Sequence, residues 1–496
     1  MAGFHPSRTR RKPSRLRKAC GRLLVAFLVC CLGMSVWQVV KPLPAGVSQP
    51  HEIQAAQDVA LLTDITYTDA SGVRHSEQQV FDEILRLIGQ AQRAVVLDMF
   101  LFNDFTGADA APPLRPLSAQ LTQALVARKR AVPGLQVVVI TDPINTLYGG
   151  LRSPHLTALR QSGIEVVVTD LPQLRAPNPA WSGFWQLCCR WMGNRDQGGW
   201  LPSPFGKGKV SARSYLALLN LNANHRKTLV VDEGQRWTGV VASANPHDGS
   251  SAHGNVAVRF SGPAALDLLR SERAVVGMSS AIWPPSIQSV ESAVPAFNPG
   301  ADTQVQLLTE AQIRDALLAG LANAKAGEQV DIAVFYFSHR ALVQAVAAAK
   351  RRGVRLRVLL DPNEDAFGRK KNGIPNRQVA WELHQAGVPV RWCDTHGEQC
   401  HAKFMLARSA NGRAELIAGS ANYTRRNLDD YNLESSARVL APVDAAVMAD
   451  SIDYFDASWD NTNGRNFSLP YAAFEDTSRW RYWRYRFTEA TGLSSF

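Results

Sequence analysis

The chain has 496 residues, 46% of them apolar and 20% charged, which excludes a disordered polymer and allows two or three ordinary domains or two packed halves. Its net charge of +11 is concentrated: eight positive charges and no acid lie in residues 1–22 (Arg8, Arg10, Arg11, Lys12, Arg15, Arg17, Lys18 and Arg22), so the remainder carries only +3. A body this close to balance makes no electrostatic case for a wide nucleic-acid footprint.

After the basic tail comes LLVAFLVCCLGMSVWQVV, residues 23–40, with no charge in it. Eighteen such residues are just enough to span a bilayer, and Lys41 and Pro42 end the run. The exit sequence KPLPAGVSQP has no clear small-x-small cleavage site. The expectation is an uncleaved single-pass anchor in an inner membrane. The tail would stay in the cytoplasm and the rest would face the periplasm. Residues 41–51 read as a linker.

The body repeats itself. LTQALVARKRAVPGLQVVVITDP at 121–143 matches LVQAVAAAKRRGVRLRVLLDP at 342–362, each an apolar-periodic helix and then a branched-aliphatic strand closing on Asp-Pro. Upstream, AVVLDMFLF at 94–102 matches VDIAVFYF at 330–337. Downstream, HLTALRQSGIEVVVTD at 155–170 matches VAWELHQAGVPVRWCD at 379–394. Alternating strands and helices predict an α/β fold of two duplicated halves, each a mostly parallel sheet covered by helices. The first half is set at 52–287, the joint at 288–303 and the second half at 304–496. An insert at 171–222 occurs only in the first half. It holds Trp181, Phe184, Trp185, Trp191, Trp200 and Phe205, with Arg190, Arg195, Lys207 and Lys209 among them. The C-terminal RWRYWRYRF at 479–487 alternates cation and aromatic; as a strand it would have an aromatic and a basic face, and as a helix it would be mixed all round.

Corresponding places in the halves carry NHRKTLVVDEG, from Asn224, and CHAKFMLARS, from Cys400. His225 and Lys227 stand two apart, as do His401 and Lys403, so each pair shares one face of a strand. Ser243-Ala244-Asn245 follows the first pair and Ser420-Ala421-Asn422 the second. Asn245 to Asn255 and Asn422 to Asn432 are both ten residues. One such pair is weak evidence; two in matching positions of a duplicated unit are strong. The lysines suit the non-bridging oxygens of a phosphodiester, with Asn245 and Asn422 as neutral donors. One imidazole can attack phosphorus while the other protonates the leaving alcohol and then deprotonates the incoming one.

These residues resemble the HKD phosphodiesterases of the phospholipase D superfamily, whose pattern HxK-x4-D…GSxN is met by His225, Lys227, Asp232, Ser243 and Asn245, and by His401, Lys403, Gly419, Ser420 and Asn422. Two departures stand out: Ala242 replaces the first glycine, and Arg408 replaces the second aspartate. The resemblance covers nearly everything beyond the anchor. It implies two halves about a pseudo-two-fold axis, both motifs in one site, and no metal or other cofactor. It also implies that His225 is the nucleophile. Leu433-Glu434 after Asn432 matches the family's Asn-x-Glu, whereas Asn255 is followed by Val256 and Ala257. The expectation is that Glu434 supports His401 and raises its pKa, leaving His225 neutral. Asp232, Ser243 and Ser420 are expected to be supporting residues, and His247 and His253 surface or structural histidines.

Cys393 and Cys400 bracket DTHGEQ and can form a disulfide in an exported domain. A metal site using His396 and His401 is the weaker alternative, since no second Cys/His pair has zinc-site spacing. The leading functional expectation is a membrane-anchored phospholipase D acting on phospholipid, with water or an alcohol as acceptor. Cardiolipin synthase is a close variant; a membrane-tethered nuclease and a non-catalytic scaffold are the alternatives.

Overall fold

A computed structural model of the chain describes residues 15–106, 114–206, 208–234, 236–291, 302–366 and 369–494. Arg8, Arg10, Arg11, Lys12, Lys207 and most of the joint at 288–303 lie outside the described residues. Helix α1 covers Arg15–Val40, so the apolar run is continued by a turn and more of the basic tail. It is long and apolar enough to cross a membrane, and almost all of its spanning stretch is exposed.

In the first half, the strands of the large sheets are β1 (Gln54–Ala55), β2 (Gln57–Thr68), β3 (Arg74–Gln78), β4 (Ala94–Met99), β5 (Gln136–Thr141), β6 (Glu165–Val168), β7 (Lys227–Asp232), β8 (Trp237–Ala242) and β9 (Asn255–Ser261). Its helices include α2 (Leu117–Ala131), α3 (Pro154–Gln161), α4 (Pro179–Cys188) and α5 (Pro263–Met278). The second half supplies β10 (Gln304–Thr309), β11 (Gln329–Val334), β12 (Arg355–Leu360), β13 (Val390–Cys393), β14 (Lys403–Arg408), β15 (Arg413–Gly419), β16 (Ser435–Pro442) and β17 (Ser468–Pro470). With them come α6 (Arg340–Arg351), α7 (Asn376–Gln385) and α8 (Arg479–Thr491).

One sheet runs β3-β2-β9-β8-β7-β4-β5-β6 and the other β1-β10-β16-β15-β14-β11-β12-β13-β17. The helix-strand repeats stand where the duplication puts them, so the α/β class and the two halves hold. The sheets are mixed rather than mostly parallel. Only β4-β5-β6 and β11-β12-β13 pair in parallel, because these are the neighbouring strands joined by helical crossovers. The motif strands β7 and β14 instead return beside β4 and β11 in antiparallel and continue as hairpin-linked strands. The halves also trade an edge: β1, which belongs to the first half by sequence, pairs with β10 of the second sheet.

Helix α6 illustrates how the outer layers form. It buries Leu342, Val343, Val346 and Ala349, the apolar stripe of an amphipathic helix, and its last turn carries Lys350 and Arg351. Between the halves, Val230, Val241 and Val258 of the first sheet share one core with Phe404, Leu416 and Val439 of the second. That shared core sets the two motif strands in one structure rather than in separable lobes.

A buried ion network crosses the same junction. Arg226, between His225 and Lys227, is fully buried and donates to Glu310 of the second half at 2.8 Å and to Ser271 of α5 at 2.9 Å. Glu272 lies 3.5 Å away. Glu310 also accepts the backbone N–H of Glu434 at 3.1 Å. Removing one partner would leave a buried guanidinium undercompensated, a loss of about 3–5 kcal/mol. Glu310→Gln should therefore lower the denaturation midpoint of the detergent-solubilised protein markedly. An unchanged midpoint would show that this network does not hold the halves together.

Candidate active site

Each motif begins just before a central strand and is tied by its backbone to the opposite half. His225 N–H donates to Leu433 O at 2.9 Å and Leu433 N–H to Ala223 O at 3.0 Å. The mirrored pair is His401 N–H to Gly254 O at 2.7 Å and Gly254 N–H to Gln399 O at 2.9 Å. The Asp-Pro turns after β5 and β12 complete the frame: Asp142 accepts the N–H of Asn224 and Asp361 that of Cys400, both at 2.8 Å.

This exchange decides which group meets which imidazole. Glu434 lies 2.9–3.0 Å from His225 Nδ1, so the expectation that it supports His401 is overturned. His401 Nδ1 faces Asn255 Oδ1 at 3.2 Å. The equal ten-residue spacings concealed the true correspondence. Ser420 Oγ donates to Glu434, fourteen residues on, whereas Ser243 Oγ donates to Asn255, twelve residues on, at 3.1 Å. The first-half loop is two residues shorter, and Asn255, not Ala257, occupies the place of Glu434.

By the same shift His253 is the counterpart of Asn432. Asn432 Oδ1 accepts the N–H of Ala223 at 3.0 Å, and His253 Nδ1 that of Gln399 at 3.2 Å. His253 and His247 are both buried, so neither is a surface histidine. His247 caps a short turn, with Nδ1 3.0 Å from Ser250 Oγ.

Asn255 carries information about proton placement. Its Nδ2 donates to Asp64 Oδ2 at 3.2 Å and to His253 O at 2.9 Å. Two acceptors on that side turn the amide oxygen to His401, whose Nδ1 must then be the donor. The Nε2 of a neutral His401 is left with its lone pair. Glu434 imposes the same tautomer on His225. The Glu434 carboxylate touches His225 directly, whereas His401 meets the Asn255 amide, with the carboxylate of Asp64 behind it.

The lysines lie beneath the histidines. Lys227 Nζ donates to His225 O and sits 4.9 Å from the centre of the Phe100 ring; Lys403 Nζ donates to His401 O at 2.6 Å and sits 5.2 Å from that of Phe335. The same rings lie 4.8 Å from His225 and 5.0 Å from His401. Phe100 and Phe335 follow the matching strands β4 and β11, so the repeat itself contained the signal for them. Asn245 and Asn422 are both buried. Asn245 Oδ1 accepts the N–H of Leu101 at 3.2 Å, while Asn422 Oδ1 is buried without a hydrogen-bond partner among the described residues.

Asp232 is remote from this chemistry: it pairs with Arg93 and caps the N–H of Gly234 at 2.8 Å at the end of β7. At the matching position Arg408 reverses the polarity and pairs with Asp331 at 3.0 Å. Cys393 and Cys400 are joined as a disulfide with Cα atoms 6.2 Å apart. In the first half, Asn224 and Thr169 occupy the matching places and are joined by a 2.9 Å hydrogen bond. The alternative metal arrangement is not assembled, since His396 is exposed beside Asp394 while His401 faces Asn255.

Burial and crowding disfavour charge throughout the site. Burial foremost, then the neighbouring lysines, hold His225 at about 4 against the pull of Glu434. Burial and Lys403 push His401 well below its ordinary value. Burial brings Lys227 down to about 7, and burial with Lys227 nearby lowers Lys403 strongly. An oxyanion among these groups favours their protonated forms, so its binding near pH 7 should take up protons. Its affinity should fall as pH rises through about 7, where Lys227 loses its charge. Vanadate titration by calorimetry in buffers of different ionisation enthalpy measures this; equal heats in all buffers would contradict it.

Residues 317–459 match the family described as cardiolipin synthase, PLD-like domain. No curated protein matches the chain in sequence. Among solved structures, the chain is similar to phosphatidylserine synthase of Haemophilus influenzae Rd KW20, at 11% identity and a TM-score of 0.52, covering 90% of this chain and 97% of that one. Polyphosphate kinase of Porphyromonas gingivalis aligns at 12% identity over 88% of this chain and 53% of its own, with a TM-score of 0.45. Nuc, a phospholipase D family member from Salmonella typhimurium, aligns at 21% identity over 32% of this chain and 95% of its own, with a TM-score of 0.26. The second half thus matches a PLD-like domain, and the chain as a whole has a fold similar to that of the phosphatidylserine synthase.

Proposed function

We propose that the protein is a phospholipase D-type phosphodiesterase that acts on phospholipids through a covalent phosphohistidine. The observation that carries this is the convergence of two His-x-Lys pairs from opposite halves, each imidazole held through Nδ1 with Nε2 left for chemistry. His225 attacks phosphorus: Glu434 accepts its Nδ1 proton and offsets the positive charge that the ring gains on phosphorylation. His401, protonated once the substrate anion offsets the lysine charge, donates to the leaving alcohol and then takes the proton of the incoming water or alcohol. Lys227, Lys403, Asn245 and Asn422 hold the non-bridging oxygens, where charge grows in the transition state. The scheme keeps His225 as nucleophile, but for a different reason: the carboxylate is on the nucleophile, not on the acid.

Helix α1 supports a membrane-anchored enzyme, with the basic tail cytoplasmic and the site on the opposite side of an inner membrane. The PLD-like domain of cardiolipin synthase supports a second reading, in which the acceptor is the alcohol of another phospholipid and the reaction is transfer. The first test assays the full chain in vesicles, with chelator present, on labelled phosphatidylethanolamine, phosphatidylglycerol and single-stranded DNA. Phospholipid turnover is expected; turnover of DNA alone would make it a nuclease, and none at all would favour a scaffold. His225→Asn or Lys403→Ala should lower kcat by about 10²–10⁴-fold. In a second test, His401→Asn is given phosphatidyl-p-nitrophenol, whose leaving group needs no acid. Phosphoenzyme should accumulate on His225 because its breakdown lacks a base. A label recovered on any other residue would overturn the assignment.

A further inference from the structure

We propose that α4 and α8 form a bilayer-docking surface that sets the active site against the leaflet from which α1 emerges. This rests on the phospholipid reading above and adds how the substrate is met.

Helix α4, PAWSGFWQLC, carries no charge and packs along α1 rather than on the enzyme's core alone. Phe27 and Phe184 meet edge to face at 6.2 Å. At Gly183 the backbones come so close that a Cβ would lie 2.7 Å from Cys31 O and 2.8 Å from Ser35 N. Small-residue contact of this kind is how helices pack in lipid. The contacts fall on residues 27–35, inside the apolar run, so α4 lies at the depth of the hydrocarbon or its boundary. The rest of α1 there is free for lipid, with Leu24, Leu28, Leu32 and Val36 more than half exposed.

The end of α1 is fastened to the start of the insert. Ala176 N–H donates to Gln38 O at 3.0 Å, and Lys41 Nζ donates to Pro172 O at 2.7 Å. The next residue, Pro177, presses its carbonyl against Gly492 at the C-terminal cap of α8, so closely that no side chain fits there. The end of α8 is thus adjacent to the point where the chain leaves the bilayer.

Helix α8 has two unlike faces. Tyr485 and Glu489 are buried and bonded to Ser338, at 3.1 and 2.7 Å. The other face carries Trp480, Trp483 and Phe487, which are 76%, 64% and 59% exposed at i, i+3, i+7 spacing, beside exposed Arg479 and Arg484. Its sole acid, Glu489, is on the buried face. Indole and phenyl rings with arginine suit the headgroup boundary of an anionic leaflet. The insert that carries α4 leads along the chain into His225 and is closed by Asn222 Nδ2 donating to Leu171 O at 2.9 Å.

The test compares the full chain with a Trp480→Ser/Trp483→Ser/Phe487→Ser variant in phosphatidylglycerol-containing vesicles. Turnover of long-chain vesicle lipid should fall at least tenfold. Turnover of a water-soluble dibutanoyl analogue should be unchanged, which also shows that the variant folds. Brominated acyl chains should quench the wild-type tryptophans more than those of the variant. Equal quenching together with equal vesicle turnover would overturn the proposal and mark the stripe as a site for something other than lipid. If wild type turns over no phospholipid but the quenching difference persists, the docking surface stands and the substrate assignment fails.

Discussion

Everything in the site depends on one reciprocal exchange: each half supplies the group that holds the other half's histidine. The backbone bridges at Leu433 and Gly254 put Glu434 on His225 and Asn255 on His401. Neither imidazole has its tautomer set within its own half. A half folded alone would have the His-x-Lys pair but not the proton arrangement that makes it useful. The shared core and the Arg226–Glu310 contact are the structural cost of that arrangement, and they account for the ionic groups buried where a simpler core would be apolar.

The exchange also breaks the symmetry of the duplication. A carboxylate on Nδ1 stabilises positive charge on the ring, whereas an amide only orients it. Two otherwise equivalent histidines thereby acquire different surroundings, on which the proposed division of tasks rests. The site opposes protonation of its lysines and histidines because burial disfavours charge and four basic groups share the space. In the proposed reaction a phosphodiester would supply the missing negative charge.

Much of this was legible in the amino-acid sequence, because helix-strand repeats and a repeated His-x-Lys are local patterns. The destination of Glu434 was not. It is a contact between segments over 200 residues apart, and two equal ten-residue spacings suggested a false alignment that only the serine hydrogen bonds correct. Sheet polarity escaped for a related reason: an apolar strand looks the same whether it returns by a hairpin or a crossover. The crossing of β1 to the other sheet rests on two residues with no pattern of their own. RWRYWRYRF alternates as a strand would, and what selects the helix is tertiary, the burial of Tyr485 and Glu489 against Ser338. The Cys393–Cys400 bridge was visible, but its counterpart, a hydrogen bond between Asn224 and Thr169, was not, since neither residue advertises a partner.

The central claim is that Glu434 of the second half serves His225 of the first. The most direct measurement is the pre-steady-state burst of p-nitrophenol from phosphatidyl-p-nitrophenol by Glu434→Gln. This leaving group makes the first step independent of the general acid, so only the nucleophile's support is read. The burst should be slowed by about 10²-fold or more, with its amplitude retained. A burst at the wild-type rate, with only the later release of phosphatidic acid slowed, would mean that the carboxylate serves the other histidine.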